Sequence, residues 1–244
     1  MIYNSHHITT VWLDLDDTLI DFTTNAHTSL IAMWQQEPVL RNLWPDPEQW
    51  AECYERHNIA LWAEYNIGRI SRQSLRMERF RRPLCQAGLP DHNARSLSEL
   101  FDPLYLDLLA QQKTLMPGAI TLLRRLRRAG VTIGILSNGF KEVQHRKIHT
   151  AGLDPYIDLV VLSDDIGVNK PDPRIFDHAM RQAHDTDPTH HLMIGDNPQT
   201  DIAGAIATGW NALWYHPLRA FPGVPCPKGA DEITDLSHFI LKAC

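Results

Sequence analysis

The sequence predicts an α/β protein, a doubly wound parallel sheet with a smaller all-helical domain inserted after the first strand. Three observations carry this. Beyond Met116-Pro117-Gly118, short apolar runs alternate with amphipathic stretches of helix length, the texture of a parallel sheet covered on both faces. Between Phe22 and Leu109 helix formers dominate and no strand pattern interrupts them. The apolar runs end in polar residues, and sheets of this kind bind ligands beyond the carboxyl ends of their strands.

Taken in order, 8–13 (Ile-Thr-Thr-Val-Trp-Leu) reads as a short buried strand ending at the acidic cluster Asp14 to Asp17. The helical insertion carries Trp34, Trp44, Trp50, Trp62 and Tyr65, and Pro45, Pro83 and Pro90 punctuate it. Residues 119–129 predict an amphipathic helix with Arg124, Arg125, Arg127 and Arg128 on a solvated face and Gly130 at the stop position. A strand over 131–136 ends at Ser137-Asn138-Gly139, and a helix over 141–151 stops at Gly152. A strand over 158–163, a helix over 173–183 and a strand over 191–195 follow, the last ending at Asp196. A helix over 201–208 stops at Gly209, and 212–215 closes the series. The tail, through Pro217, Pro222, Pro225 and Pro227, is expected to be irregular until a short closing helix near 236–242. These boundaries divide the chain into a sheet-bearing core of 1–20 with 113–244 and a helical domain of 21–112. Asp14, Asp16, Ser137, Asn138, Gly195 and Asp196, all at strand ends, are expected to open onto one crevice. The histidine pairs His6-His7 and His190-His191 are expected at the surface or at strand edges.

A formal charge of −6 argues against nucleic acid or an anionic membrane as the main partner. It leaves an anionic small molecule open, because a bound metal or a few cations reverse the field within one cleft. The first residues lack a basic segment and apolar run of the secretory kind, and no stretch approaches bilayer length. Cys53, Cys85, Cys226 and Cys244 form no CxxC pair and read as plain thiols. A cytoplasmic protein with no obligate protein partner is expected.

Four elements occur in order: Asp14-Leu15-Asp16-Asp17-Thr18, then Ser137-Asn138, then Lys170-Pro171, then Gly195-Asp196 followed by Asp201. The set resembles the haloacid dehalogenase-like hydrolase superfamily, whose signature is DxDxT, a Ser or Thr, a Lys, and a GD…D pair. The resemblance implies a Rossmann-like core with a helical C1 cap and an Mg²⁺-dependent phosphatase acting on small phosphorylated metabolites. Asp14 would be the nucleophile, forming an aspartyl-phosphate that divides one hard displacement into two. Asp16 would protonate the leaving oxygen and then deprotonate the attacking water. Lys170 would hold Asp14 ionised and bind the phosphoryl group with Ser137 and Asn138. Mg²⁺, which favours oxygen ligands, would take the Asp14 carboxylate, the Asp16 carbonyl and the Asp196 carboxylate. Asp201 would support the metal waters or Lys170, or serve as a helix N-cap.

Departures from the signature refine this. The commonest first motif of the superfamily has Gly where this chain has Asp17. Asp16 distinguishes the chain from the dehalogenase branch, which lacks that carboxylate. The branch that cleaves phosphonates uses a cap lysine, and no lysine lies between Phe22 and Leu109. Leu61-Trp62 with Tyr65 and Gly68, Leu136-Ser137-Asn138-Gly139-Phe140 and Gly167-Val168-Asn169-Lys170-Pro171 resemble the bacterial pyrimidine 5′-nucleotidase branch, which hydrolyses dUMP, UMP and dTMP. Most cap aromatics are expected in the cap core, with Trp62 or Tyr65 at the substrate. The alternatives are a sugar-phosphate or flavin mononucleotide phosphatase, a phosphomutase, and a non-catalytic scaffold for phosphorylated ligands.

Overall fold

The computed structural model describes residues 2–4, 8–217 and 223–242. In chain order its elements are β1 (Ile2–Asn4), β2 (Thr10–Leu13), α1 (Phe22–Gln36), α2 (Pro38–Leu43), α3 (Pro47–Asn66), α4 (Arg72–Gln86), α5 (Asp91–Ala110) and α6 (Ala119–Ala129). They continue with β3 (Thr132–Ser137), α7 (Lys141–Thr150), β4 (Leu159–Leu162), α8 (Ser163–Ile166), α9 (Pro173–Gln182), β5 (His191–Gly195), α10 (Ala203–Ala207), β6 (Asn211–Tyr215), β7 (Asp231–Ile233) and β8 (Ile240–Lys242). The chain divides into two compact units, Met1–Phe22 with Lys113–Cys244, and Thr23–Gln112.

The first unit holds a six-stranded sheet in the order β4-β3-β2-β5-β6-β7, with every neighbouring pair parallel. Strand alternation sends successive side chains to opposite faces, and two buried clusters result. Val11, Leu13, Ile133, Ile135, Leu192, Ile194 and Leu213 meet Leu122, Leu123 and Leu126 of α6 on one face. Trp12, Leu136, Met193, Ala212 and Trp214 meet Ile175, Phe176 and Ala179 of α9 on the other. This is the doubly wound parallel sheet that the alternating pattern predicts. The central strand β2 delivers Asp14 at its carboxyl end, where the Asp14 N–H still donates to the Ile194 carbonyl at 3.0 Å.

The tail departs from expectation. No closing α-helix forms; a 3₁₀ turn at Leu236–His238 leads into β8, which pairs in parallel with β1. Leu236 and Phe239 are buried in the first cluster, so the apolar residues of this segment serve a turn and a strand rather than a helix face. Arg125 is the exception on the arginine face of α6: it is half-buried and donates to the Ser237 and Phe239 carbonyls, tying down that turn. His191 is also displaced from its expected place. It is fully buried because β5 is a central strand, and its Nδ1 accepts the Trp12 indole N–H at 3.1 Å. His6-His7, Pro222 and Cys244 lie outside the described residues.

The second unit is wholly helical. Asp46 caps α3 by accepting from Glu48 N–H with Pro47 at the first position, and Ser71 caps α4 through Ser74 N–H. Its core is aromatic: Trp50, Tyr54, Phe80, Phe101 and Tyr105 are all buried, with ring centroids between 5.0 and 6.5 Å apart in the pairs they form. Buried Arg79 pairs with Asp102 and lies over the Tyr105 ring at 5.1 Å. Trp62 and Tyr65 are half-buried and edge-to-face with each other at 5.4 Å.

Candidate active site

Asp14 is buried immediately beyond β2. Three residues on, Asp17 adopts a left-handed backbone with φ of 57°, a conformation natural to glycine and tolerated by aspartate. That explains why this position admits either residue. The turn returns through Asp17 N–H to the Ile20 carbonyl at 2.7 Å, and it carries Thr18 to Asp196, whose N–H donates to the threonine hydroxyl at 3.1 Å.

Lys170 is the centre of charge. Its ammonium is 1% exposed and touches three acceptors: Asp14 Oδ1 at 2.6 Å, Asp201 Oδ1 at 2.7 Å and the Leu136 carbonyl at 2.6 Å. A buried ammonium persists only when it is paired in this way. Asn138 grips the Lys170 main chain from both sides, with Nδ2 donating to the Lys170 carbonyl at 2.9 Å and Oδ1 accepting from its N–H at 2.7 Å. Its side-chain amide is therefore directed at the lysine backbone.

Asp201 does not cap its helix. That task falls to Asn197, whose side chain accepts from Gln199 and Thr200 N–H groups ahead of a π-helical turn, Pro198–Ile202, that leads into α10. Asp201 instead points back to Lys170 and accepts the Asn197 N–H at 3.1 Å with its other oxygen. The approach requires Gly195, because a β-carbon there would run into the Asp201 carboxylate.

Asp14, Asp196 and Asp201 each offer an oxygen, all within 4.8 Å of one another, a donor set that could hold a metal ion. Three carboxylates face one ammonium, so the cluster lacks positive charge. The electrostatics reflect the deficit. Burial pushes Asp14 up to about 7; Lys170 opposes the rise while Asp201 and Asp16 reinforce it. Burial, with Asp14 and Asp201 beside it, drives Asp196 well above the carboxylate range. A divalent cation among these hard oxygen donors would supply the missing charge.

The Asp16 carboxylate turns towards α7. Lys147 Nζ reaches both of its oxygens, at 2.8 and 3.0 Å, and Gln144 Nε2 donates to Asp16 Oδ2 at 2.9 Å and to Ser137 Oγ at 2.8 Å. Ser137 is buried at the end of β3. Because its oxygen accepts from Gln144, its own O–H is left to donate. Asp14, Lys170, Asp196 and Asp201 are thus joined by ion pairs or carboxylate proximity, and Asp16 and Ser137 by their shared partner Gln144. Sequence reasoning missed Gln144 and Lys147. Their only signal was a polar pair three residues apart on one helix turn, which a solvated face shares.

The chain belongs to the haloacid dehalogenase-like hydrolase family, whose model matches residues 8–209. Pyrimidine 5′-nucleotidase YjjG of Escherichia coli (strain K12) is 33% identical over 206 residues, which cover 84% of this chain and 85% of that protein. Phosphoserine phosphatase of Thermus thermophilus is 34% identical over 171 residues, 68% of this chain and 66% of that one. Among solved structures, the magnesium-bound HAD-hydrolase YfnB of Bacillus subtilis matches with a TM-score of 0.78 at 24% identity, covering 94% of this chain and 96% of that one. At that identity the structural likeness speaks for the fold.

Proposed function

We propose that this hydrolase cleaves phosphate monoesters through an aspartyl-phosphate on Asp14, and that its substrates are pyrimidine nucleoside monophosphates such as dUMP, UMP and dTMP. The observation that carries the chemistry is the buried Lys170 ammonium, 2.6 Å from Asp14 Oδ1. It orients a carboxylate oxygen and places a fixed cation where the anionic phosphoryl group must approach. The Asp14 oxygen forms a bond to phosphorus while the ester oxygen leaves with its electron pair and takes a proton from Asp16. In the second half Asp16 removes a proton from water, the water oxygen bonds to phosphorus, and the Asp14–phosphorus bond breaks. Ser137 O–H binds a transferring oxygen, and Lys170, whose three N–H donors serve Asp14, Asp201 and the Leu136 carbonyl, acts on the phosphoryl group through its charge. Asp14, Asp196 and the Asp16 carbonyl would hold Mg²⁺, which when bound neutralises charge on the phosphate. Asp201 acts by holding Lys170.

The enzyme is accordingly a phosphoric monoester hydrolase, and Asp16 supports this over dehalogenation, since a halide leaves without a proton. Substrate choice we assign to the helical unit as a C1 cap, with half-buried Trp62 and Tyr65 offering aromatic surface for a planar base. The relationship to a pyrimidine 5′-nucleotidase supports that choice. The similarity to a phosphoserine phosphatase keeps a second small-metabolite class in view. Purified protein with Mg²⁺ is expected to release phosphate from p-nitrophenyl phosphate, and Asp14→Asn to abolish release while remaining folded. Full turnover by the Asn variant would sink the mechanism. A screen of nucleoside monophosphates against sugar phosphates and phosphoserine decides the substrate: faster release from either of the latter two removes the nucleotidase assignment.

A further inference from the structure

Gln144 and Lys147 are polar, 1% and 4% exposed, and have no part in the reaction written above. Burying an amide and an ammonium costs free energy unless their donors are used. Lys147 uses its ammonium on both oxygens of Asp16 and lays it 4.6 Å from the Phe22 ring centroid. Gln144 reaches one of the same oxygens and also Ser137. Residues three apart share a helix face, so a single turn of α7 presents both donors to the end of β2. A carboxylate accepts and does not donate, so the amide nitrogen of Gln144 is the end that faces it. Gly139 leaves room for this, since a β-carbon there would collide with the Gln144 side chain.

Asp16 is bound by nothing comparable on its own turn. Its rotamer is set from α7, by one contact to each oxygen from Lys147 and a further contact to Oδ2 from Gln144. We propose that Gln144 and Lys147 are positioning residues that hold the Asp16 carboxyl group where it exchanges its proton with the leaving oxygen. The inference rests on the acid–base role given to Asp16 above. General acid catalysis depends on placement within hydrogen-bond reach of the acceptor atom. A free Asp16 would sample its other rotamers and meet that oxygen only part of the time.

The test compares kcat/KM on two aryl-bearing monoesters, p-nitrophenyl phosphate and benzyl phosphate, with Mg²⁺ present. p-Nitrophenolate departs without a proton; the benzyl alkoxide needs one. kcat/KM isolates the step in which that bond breaks. Asp16→Asn, Lys147→Met and Gln144→Leu are each expected to lower the benzyl to p-nitrophenyl ratio, Asp16→Asn by about 10²-fold and the two α7 variants by about 10-fold or more. Lys147→Arg, which keeps the cation, should restore most of its share. An unchanged ratio in the α7 variants beside a lowered ratio in Asp16→Asn overturns the positioning role and leaves the acid role standing. An unchanged ratio in Asp16→Asn removes the acid role, and the inference with it. Gln144→Leu removes no charge, so it decides the matter alone if Lys147→Met does not fold.

Discussion

Lys170 Nζ lies 2.6 Å from Asp14 Oδ1 although 156 residues separate them in sequence. The parallel sheet closes that distance by bringing the loop beyond β4 to the carboxyl end of β2. The same ammonium binds Asp201 at 2.7 Å, so one cation serves two buried carboxylates. Removing it leaves both uncompensated, and breaking a buried pair from one side costs about 3–5 kcal/mol. Lys170→Met is therefore expected to lose turnover and to melt roughly 6–20 °C lower. Adding Asp201→Asn should recover part of the stability and none of the activity. Unchanged melting in Lys170→Met would show that the pair carries no net stabilisation.

Charge deficit also predicts a response to metal. With Asp14 raised by burial, against Lys170, and by Asp201 and Asp16, and Asp196 raised by burial and by Asp14 and Asp201, a divalent cation would bind the folded site in preference to the unfolded chain. Mg²⁺ at a hundred times its Kd should stabilise by about 2.7 kcal/mol. EDTA should abolish phosphate release and Mg²⁺ restore it, and Asp196→Asn should lose both the activity and the Mg²⁺-dependent rise in melting temperature. Full turnover in EDTA contradicts the metal requirement.

Asn138 separates two roles that the sequence cannot distinguish. Its amide is bonded at both ends to the Lys170 main chain. Asn138→Ala should then cost about 1–3 kcal/mol for the groups left unpaired. Through misplacement of Lys170, kcat should fall about tenfold with KM moving little. A rise in KM at constant kcat would instead assign the side chain to phosphate.

Which parts of this site are legible in the sequence has a physical basis. Asp14, Asp16 and Asp196 interrupt or follow apolar strands, and only function or a turn explains a carboxylate in such a place. Asn138 and Asp201 are legible as polar residues at the right sites, but their partners are not, because a hydrogen bond across 32 or 31 residues depends on loop geometry. Gln144 and Lys147 lie in Lys-Glu-Val-Gln-His-Arg-Lys-Ile, where most residues are polar and the buried face is decided by what β2 and β3 present to it. The closing strand β8 is lost for a related reason: its partner β1 lies at the other end of the chain, and the local apolar spacing suggests a helix. His191 fails as a surface histidine because the place of β5 between β2 and β6 is a property of strand order.

That buried histidine yields a pH dependence remote from the carboxylate cluster. Its Nδ1 accepts the Trp12 indole N–H and its Nε2 faces the Asp185 carbonyl at 2.9 Å, so the neutral ring with its proton on Nε2 satisfies both neighbours. A second proton on Nδ1 would oppose the indole donor. Burial holds the His191 pKa below its ordinary value of 6.5, with His190 adding to the fall and Asp185 and Asp187 opposing it. The unfolded chain takes up this proton below about 6.5 and the folded chain does not. The group's stabilisation is therefore complete above that pH and declines as pH falls towards the folded pKa, by at most about 1.4 kcal/mol per pH unit. Over pH 7.5 to 5.5, melting of the wild type should fall more steeply than that of His191→Gln, by up to about 3–6 °C per unit. Parallel slopes for the two proteins would show that His191 takes its proton without unfolding the strand that buries it.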